Sequence, residues 1–133
     1  MITLTFEEFQ YGFAHIMSAA EARAAYERYA IPGPGRPIHQ AVLSNLTPWA
    51  AMRVNFDRSD RSPLLSIAGA EDWQVPAALV RANFRKYEQS SAETEYKEFA
   101  GRSHLIMAQA SWEEVAEFAL TWGRTQYLWI ASC

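Results

Sequence analysis

Apolar and polar positions near the start of the chain follow the spacing of two short helices. A Ser or Thr followed three residues later by Glu is typical of a helix start, because each side chain can bond the other residue's free backbone N–H. Thr5 with Glu8 and Ser18 with Glu21 fit this pattern. Apolar residues then follow at helical spacing, at Phe6, Phe9, Phe13, Ile16 and Met17 after the first start and at Ala22, Ala25, Tyr26 and Tyr29 after the second.

The second helix is predicted to stop at the segment 31–35, where two Pro and two Gly residues cluster. Proline cannot continue the helical hydrogen-bond ladder, and glycine has no helical preference. A third, shorter helix is predicted over 37–45, with Pro37 at its first turn. Residues 46–63 follow no clear period and are predicted to be mostly loop.

The pattern changes at residue 64. The apolar run 64–68, between a Pro and a Gly, is typical of a strand buried on both faces. Residues 94–99 are predicted as a second strand, although Ser90-Ser91-Ala92-Glu93 ahead of them also resembles a helix cap. Residues 101–109 are predicted as a loop, and the apolar tail 127–133 has no period that predicts an element.

Two further helices are predicted beside these strands. One opens at Pro76, with Val80, Phe84 and Tyr87 on its apolar face; the other opens at a third cap, Ser111 with Glu114, with Trp112, Val115, Phe118, Ala119 and Trp122 on its inner face. With a right-handed crossover, strand, helix, strand, loop and helix make two parallel strands with helices packed beside them. The predicted fold class is therefore α/β.

Composition and charge narrow the classes of function. Half of the 133 residues are hydrophobic and 14% are aromatic, which is typical of a globular domain. The net charge is −3 with no basic cluster free of acids, so nucleic-acid binding is not expected. Neither a membrane span nor a signal peptide is expected from the pattern. The single cysteine, Cys133, allows no internal disulfide, so a cytoplasmic protein is the simplest expectation.

Two polar residues occupy the position where parallel sheets collect their functional groups, just beyond the carboxyl ends of the strands. Asp72 follows the first strand and His104 follows the second. Adjacent parallel strands end side by side, so a hydrogen bond between Asp72 and His104 is expected. A carboxylate on one imidazole nitrogen fixes the tautomer and makes the other nitrogen a usable general base.

These residues carry a resemblance to a known family. The segment 63–72, with Val75-Pro76 behind it, resembles the acid-bearing strand and turn of α/β-hydrolases, and 99–104 resembles their histidine loop. The order Asp then His matches the family's Ser…Asp…His order. Residues 5–45 resemble the helical cap that such enzymes carry over the active site. The resemblance implies a cap region over 1–46 and a carboxy-terminal part of the hydrolase core over 47–133.

The chain departs from the family at the nucleophile. The family's serine lies on a Gly-x-Ser-x-Gly turn ahead of the cap, and no such motif occurs in these 133 residues. The glycine-bearing oxyanion loop is also missing. The chain therefore resembles the cap plus the last third of a hydrolase, a truncated α/β-hydrolase that is expected to be inactive alone.

The resemblance also implies an apolar substrate pocket beneath the cap. Its candidate lining residues are Trp73, which directly follows the acid, and Phe13, Met17, Trp49 and Met52. Ordinary core packing is the competing interpretation for all of these except Trp73.

Other chemistry has weak support. Ser103 adjoins His104 in sequence, which makes an in-line approach to the imidazole difficult, and Cys133 lies on a terminal tail with nothing to activate it. The three histidines, His15, His39 and His104, show no metal-ligand spacing, so neither a metal nor another cofactor is expected.

Two hypotheses about function remain. The first is a part of a serine-type hydrolase that, in the whole enzyme, cleaves an ester, amide or similar bond of a small apolar substrate. The second is a non-enzymatic interaction module: an unpaired edge of the strand 64–68 would favour self-association or binding to a complementary chain.

Overall fold

The two predicted amino-terminal helices are present in the computed structural model, which describes residues 2–34 and 54–130. Helix α1 spans Phe6–Phe13 and helix α2 spans Ala19–Tyr29. Both capping boxes form: the hydroxyls of Thr5 and Ser18 accept from the backbone N–H three residues on, and each Glu carboxylate accepts from the cap residue's N–H.

Helix α1 is shorter than its apolar spacing suggested. It ends at Phe13, and the turn that follows carries Ile16 and Met17 into the cap of α2 at Ser18. The capping box at Ser18 requires an extended backbone there (ψ 154°), which is incompatible with a helix continuing through it. The predicted third helix, 37–45, lies outside the described residues.

Small side chains bring the two helices together. Phe9, Ala14, Ala22 and Ala25 form a buried cluster. The Tyr26 hydroxyl donates to the Leu4 carbonyl at 2.9 Å, which closes the cluster at the amino-terminal side. The alanines let α2 approach α1 closely. The rings of Phe6 and Phe9 meet that of Tyr26 edge to face, with centroids 5.7 and 5.5 Å apart.

In the described residues the sheet consists of two parallel strands, β1 (Leu64–Gly69) and β2 (Thr94–Phe99). The register runs from Leu64 opposite Thr94 to Gly69 opposite Phe99, so both strands end on the same rung. This confirms a mixed α/β class with a two-stranded parallel sheet. The expectation that β1 is buried on both faces is wrong for most of the strand, since residues 64–67 are half-buried and only Ala68 and Gly69 are buried.

One helix contacts each face of the sheet. Helix α3 (Ala77–Arg85) is followed by a 3-10 turn, Lys86–Gln89, and helix α4 spans Trp112–Ile130. On one face Phe84 of α3 lies against Tyr96, with ring centroids 5.8 Å apart. On the other face Phe118 of α4 meets Phe99 edge to face at 5.7 Å. The two ring contacts lie on opposite faces because alternate residues of a strand point in opposite directions.

The start and end of α4 differ from the sequence prediction. Ser111 has a φ of 59°, outside the extended conformation of a cap residue, and the Glu114 carboxylate binds Arg102 instead. Trp112 is 43% exposed and is not part of the inner face, whereas Val115 is fully buried. The helix continues to Ile130, so most of the tail 127–133 is helical.

Arg81 of α3 is tied to β2 through Glu98. The Arg81 guanidinium binds the Glu98 carboxylate, and the Tyr96 hydroxyl donates to the same carboxylate at 2.6 Å. The hydrogen bond from Tyr96 and, second, the one from Arg81 lower the pKa of Glu98 below its ordinary value.

Candidate active site

Asp72 lies in the turn between β1 and α3, and backbone N–H groups fix its side chain. One carboxylate oxygen, Oδ1, accepts from the backbone N–H of Gln74 at 2.8 Å and of Val75 at 2.9 Å. A short aspartate side chain that bonds N–H groups two and three residues on is a common turn device. The second oxygen, Oδ2, is not used by this turn, and the side chain is only 11% exposed.

His104 lies in the loop between β2 and α4, facing that second oxygen. Its Nδ1 is 2.9 Å from Asp72 Oδ2. The ring of Phe13 meets the imidazole edge to face, with centroids 4.9 Å apart, and the His104 side chain remains 33% exposed. Within 2–34 and 54–130, no residue hydrogen-bonds Nε2. A carboxylate at Nδ1 favours the tautomer protonated there, which leaves the Nε2 lone pair free to accept a proton.

The backbone around Gly69 brings the acid turn and the histidine loop together. Beyond the last rung of the sheet, the N–H of Ala70 donates to the Phe99 carbonyl and that of Glu71 donates to the Arg102 carbonyl, both at 2.9 Å. A Cβ at Gly69 would lie 2.5 Å from the Arg102 carbonyl oxygen and 2.9 Å from that of Ser103. Only glycine therefore allows the loop to cross the strand end this closely.

Buried polar side chains hold the histidine loop in shape. The Arg102 guanidinium donates to the carbonyls of Ala110 and Ser111, at 2.6 and 2.9 Å, and to the Glu114 carboxylate at 2.9 Å. Ser103 is fully buried, and its hydroxyl donates to the Gln109 side chain at 2.8 Å. Sequence reasoning missed Gly69, Arg102 and Gln109, because each acts through contacts made only after the strands and the loop have assembled.

The residues predicted to line a pocket have different surroundings. Phe13 contacts His104, as described above. Met17 packs against the α1–α2 core. Trp73 is 55% exposed, and its indole stacks on the imidazole of His15 with centroids 3.8 Å apart. Trp49 and Met52 lie outside the described residues.

A pocket of about 350 Å³ lies beside Phe13, which contacts His104, and Gln74, whose backbone N–H binds Asp72. Phe13 contributes to its wall from the histidine side and Gln74 from the acid turn, and the described residues that line it carry no charged side chain. The lining residues are Ile2, Leu4, Phe13, Ala30, Ile31, Gly33, Pro34 and Gln74. Of the residues predicted to line a pocket, Phe13 does so here.

Other chemistry finds little support in the described part of the chain. Ser103 is enclosed and its hydroxyl is engaged by Gln109, so it shapes the loop and is not available as a nucleophile. Cys133 lies outside the described residues. Across 2–34 and 54–130, no three His, Cys, Asp or Glu side chains are grouped so that they could hold a metal ion. In the same ranges, no helix has the length and apolar character needed to cross a bilayer.

Comparison with known proteins identifies no relative. No protein-family model, no curated protein and no solved structure matches the chain. The resemblance to α/β-hydrolases therefore rests on the two motifs around Asp72 and His104 and stays a prediction.

Proposed function

We propose that Asp72 and His104 are the acid and the base of a serine-type α/β-hydrolase whose nucleophile lies outside these 133 residues. The observation that carries the proposal is the 2.9 Å contact between Asp72 Oδ2 and His104 Nδ1 at the end of two parallel strands. The turn uses only Oδ1 of Asp72, so the contact of Oδ2 with His104 is not explained by the turn. The order of the two residues along the chain adds support.

Each group has a defined task in this reaction. Nε2 of His104 accepts the proton of the serine hydroxyl as the serine oxygen attacks the substrate carbonyl carbon. Asp72 stabilises the imidazolium that forms and keeps the ring in place. The imidazolium then gives its proton to the leaving group, and a water molecule releases the acyl group by the same route in reverse. The uncharged wall of the neighbouring pocket favours a small, apolar substrate.

The first test uses the chain alone. We expect its turnover of p-nitrophenyl esters to equal that of free imidazole, because no Gly-x-Ser-x-Gly nucleophile is present in the sequence. His104→Ala and, as a matched imidazole control, His15→Ala are measured beside it. Robust turnover that His104→Ala abolishes would refute the external nucleophile.

The second test begins with the DNA ahead of the codon for residue 1, which is translated in each frame and searched for a strand followed by Gly-x-Ser-x-Gly. Each encoded polypeptide is then coexpressed with the chain. Coexpression is expected to yield ester hydrolysis that requires both that serine and His104. Turnover that is insensitive to His104→Ala, or absent with every frame, would contradict the assignment.

The sheet edge supports a second candidate function, a non-enzymatic interaction module. Strand β1 is apolar, yet residues 64–67 are only half-buried, and in the described part of the chain β1 pairs with β2 alone. Parallel strands are ordinarily covered on both faces and paired, so this edge is suited to a further strand from another copy or another chain. Sedimentation velocity over a wide concentration range tests it, and a strict monomer would count against it. This candidate also predicts no gain of activity on coexpression.

A further inference from the structure

We propose that Gln109 is a positioning residue that holds His104 against Asp72 by fixing the backbone on both sides of the histidine. The proposal rests on the proposed function in taking the Asp72–His104 pair as the working part of the site. It adds a residue that does not touch the pair itself.

The side-chain amide of Gln109 reaches across the histidine loop. Its Oε1 accepts from the backbone N–H of Ser103 at 2.6 Å and from the Ser103 hydroxyl at 2.8 Å. Its Nε2 donates to the Gly101 carbonyl at 3.4 Å. Both Ser103 and Gln109 are buried. One amide thus bridges the loop between Gly101 and Gln109.

The closure extends to the other side of His104. The Ser103 hydroxyl, which donates to Gln109, also accepts from the backbone N–H of Leu105 at 3.3 Å. The Leu105 carbonyl in turn accepts from the backbone N–H of Gln109 at 3.0 Å. Both chain neighbours of His104 are therefore tied to one residue. With the backbone held on either side, the direction in which the imidazole leaves the chain is fixed.

The side-chain contacts of His104 depend on that direction. The imidazole has one hydrogen-bond partner, Asp72, and one aromatic neighbour, Phe13, in the described part of the chain. Neither contact encloses it, since a third of the side chain is exposed. A small rotation of the loop would break the bond between Nδ1 and Oδ2, because hydrogen bonds weaken steeply as their angle closes.

A purely structural role would differ in a measurable way. A buried glutamine with satisfied partners contributes to stability wherever it lies. A positioning residue must in addition change the state of the His104 ring. The readout is therefore the Nδ1-bound proton of His104 and the tautomer of the neutral ring, both measured by NMR on the full chain with a ¹⁵N label on histidine.

The main variant is Gln109→Met, which keeps the volume and removes the acceptor. We expect the exchange-protected Nδ1 proton signal of the wild-type chain to be lost and the neutral ring to become a mixture of tautomers, as in Asp72→Ala. Gln109→Glu, which restores the acceptor for Ser103 but not the donor to the Gly101 carbonyl, is expected to recover the signal in part. Gln89→Met, an exposed position at the end of the 3-10 turn, is the matched control and leaves the signal unchanged.

Ser103→Ala keeps the test decisive if Gln109→Met does not fold. It removes the hydroxyl and keeps the backbone bond to Gln109, so faster solvent exchange of the Nδ1 proton is expected. An unchanged signal in folded Gln109→Met, or an unchanged exchange rate in Ser103→Ala, would overturn the positioning role alone. Identical spectra for the wild type and Asp72→Ala would mean that the pair does not form, which would overturn the proposed function as well.

Discussion

Replacing Gly69 with alanine tests the close crossing of the acid turn by the histidine loop. The added Cβ would lie 2.5 Å from the Arg102 carbonyl oxygen, whereas ordinary van der Waals contacts of a Cβ lie at 3.4–4 Å. The loop would therefore have to move by about 1 Å, and it cannot move as a flexible side chain would, because the obstructing atoms are backbone. Arg102 and Gln109 brace that same backbone.

The expected loss of stability follows from two contributions. Overpacking of a tight site costs about 1–3 kcal/mol. Displacing the loop also breaks or stretches the hydrogen bond from the Glu71 N–H to the Arg102 carbonyl, a loss of about 1 kcal/mol. We expect Gly69→Ala to lower the free energy of unfolding by about 2–4 kcal/mol and to abolish the Nδ1 proton signal of His104.

Two other glycines provide matched controls for urea unfolding. A Cβ at Gly12 would meet the end of the exposed, flexible Gln74 side chain, which can swing away at little cost. A Cβ at Gly123, inside α4, would meet nothing within 4 Å, and alanine there is expected to stabilise the helix by about 0.5–1 kcal/mol. A Gly69→Ala variant that is no more destabilised than Gly12→Ala, or that keeps the His104 signal, would refute the close crossing of strand end and loop.

Three further predictions concern the helix caps, acid stability and backbone strain. Ser18→Ala removes the hydroxyl of the α2 capping box and should cost about 1 kcal/mol in urea unfolding; no loss would contradict the cap. Tyr96 and then Arg81 lower the pKa of Glu98, so its carboxylate stabilises the fold above its ordinary value of 4.5, and this contribution is lost as pH falls through the lowered value. Glu98→Gln should therefore weaken the fold at about pH 7 more than at about pH 3; an equal effect at both would be inconsistent. Gly101 has a φ of 66° in open space, so Gly101→Ala should cost about 1 kcal/mol and Gly101→Asn less, by thermal unfolding; the reverse order would refute backbone strain as the cause.

Features that depend on neighbours in sequence could be predicted. The capping boxes at Thr5 and Ser18 need only a hydroxyl and a carboxylate three residues apart, and both formed. The two strands could be found from their composition and their flanking Pro and Gly residues. The contact between Asp72 and His104 followed from parallel strands ending together.

Features that depend on contacts between distant parts of the chain could not be predicted from the sequence. Ser111 and Glu114 have the same spacing as the other caps, but Arg102 takes the Glu114 carboxylate from twelve positions away in the chain. The predicted burial of β1 on both faces was wrong for most of the strand. Its apolar composition shows that the strand is suited to a buried position, but not which neighbours cover it. The position of Gly69 directly after the apolar run 64–68 was the one available signal for the close crossing, and an ordinary turn would show the same pattern.

Because β1 and β2 end on the same rung, the contact between Asp72 and His104 depends on the lengths of the two strands as well as on the identity of the two residues. Inserting one residue into either strand would advance one of the two loops by about 3.3 Å and turn its side chains to the opposite face of the sheet. Substitutions within the strands leave this spacing untouched. Homologous sites should therefore keep the spacing from Gly69 to Asp72 and from Phe99 to His104, even where the residues between them differ.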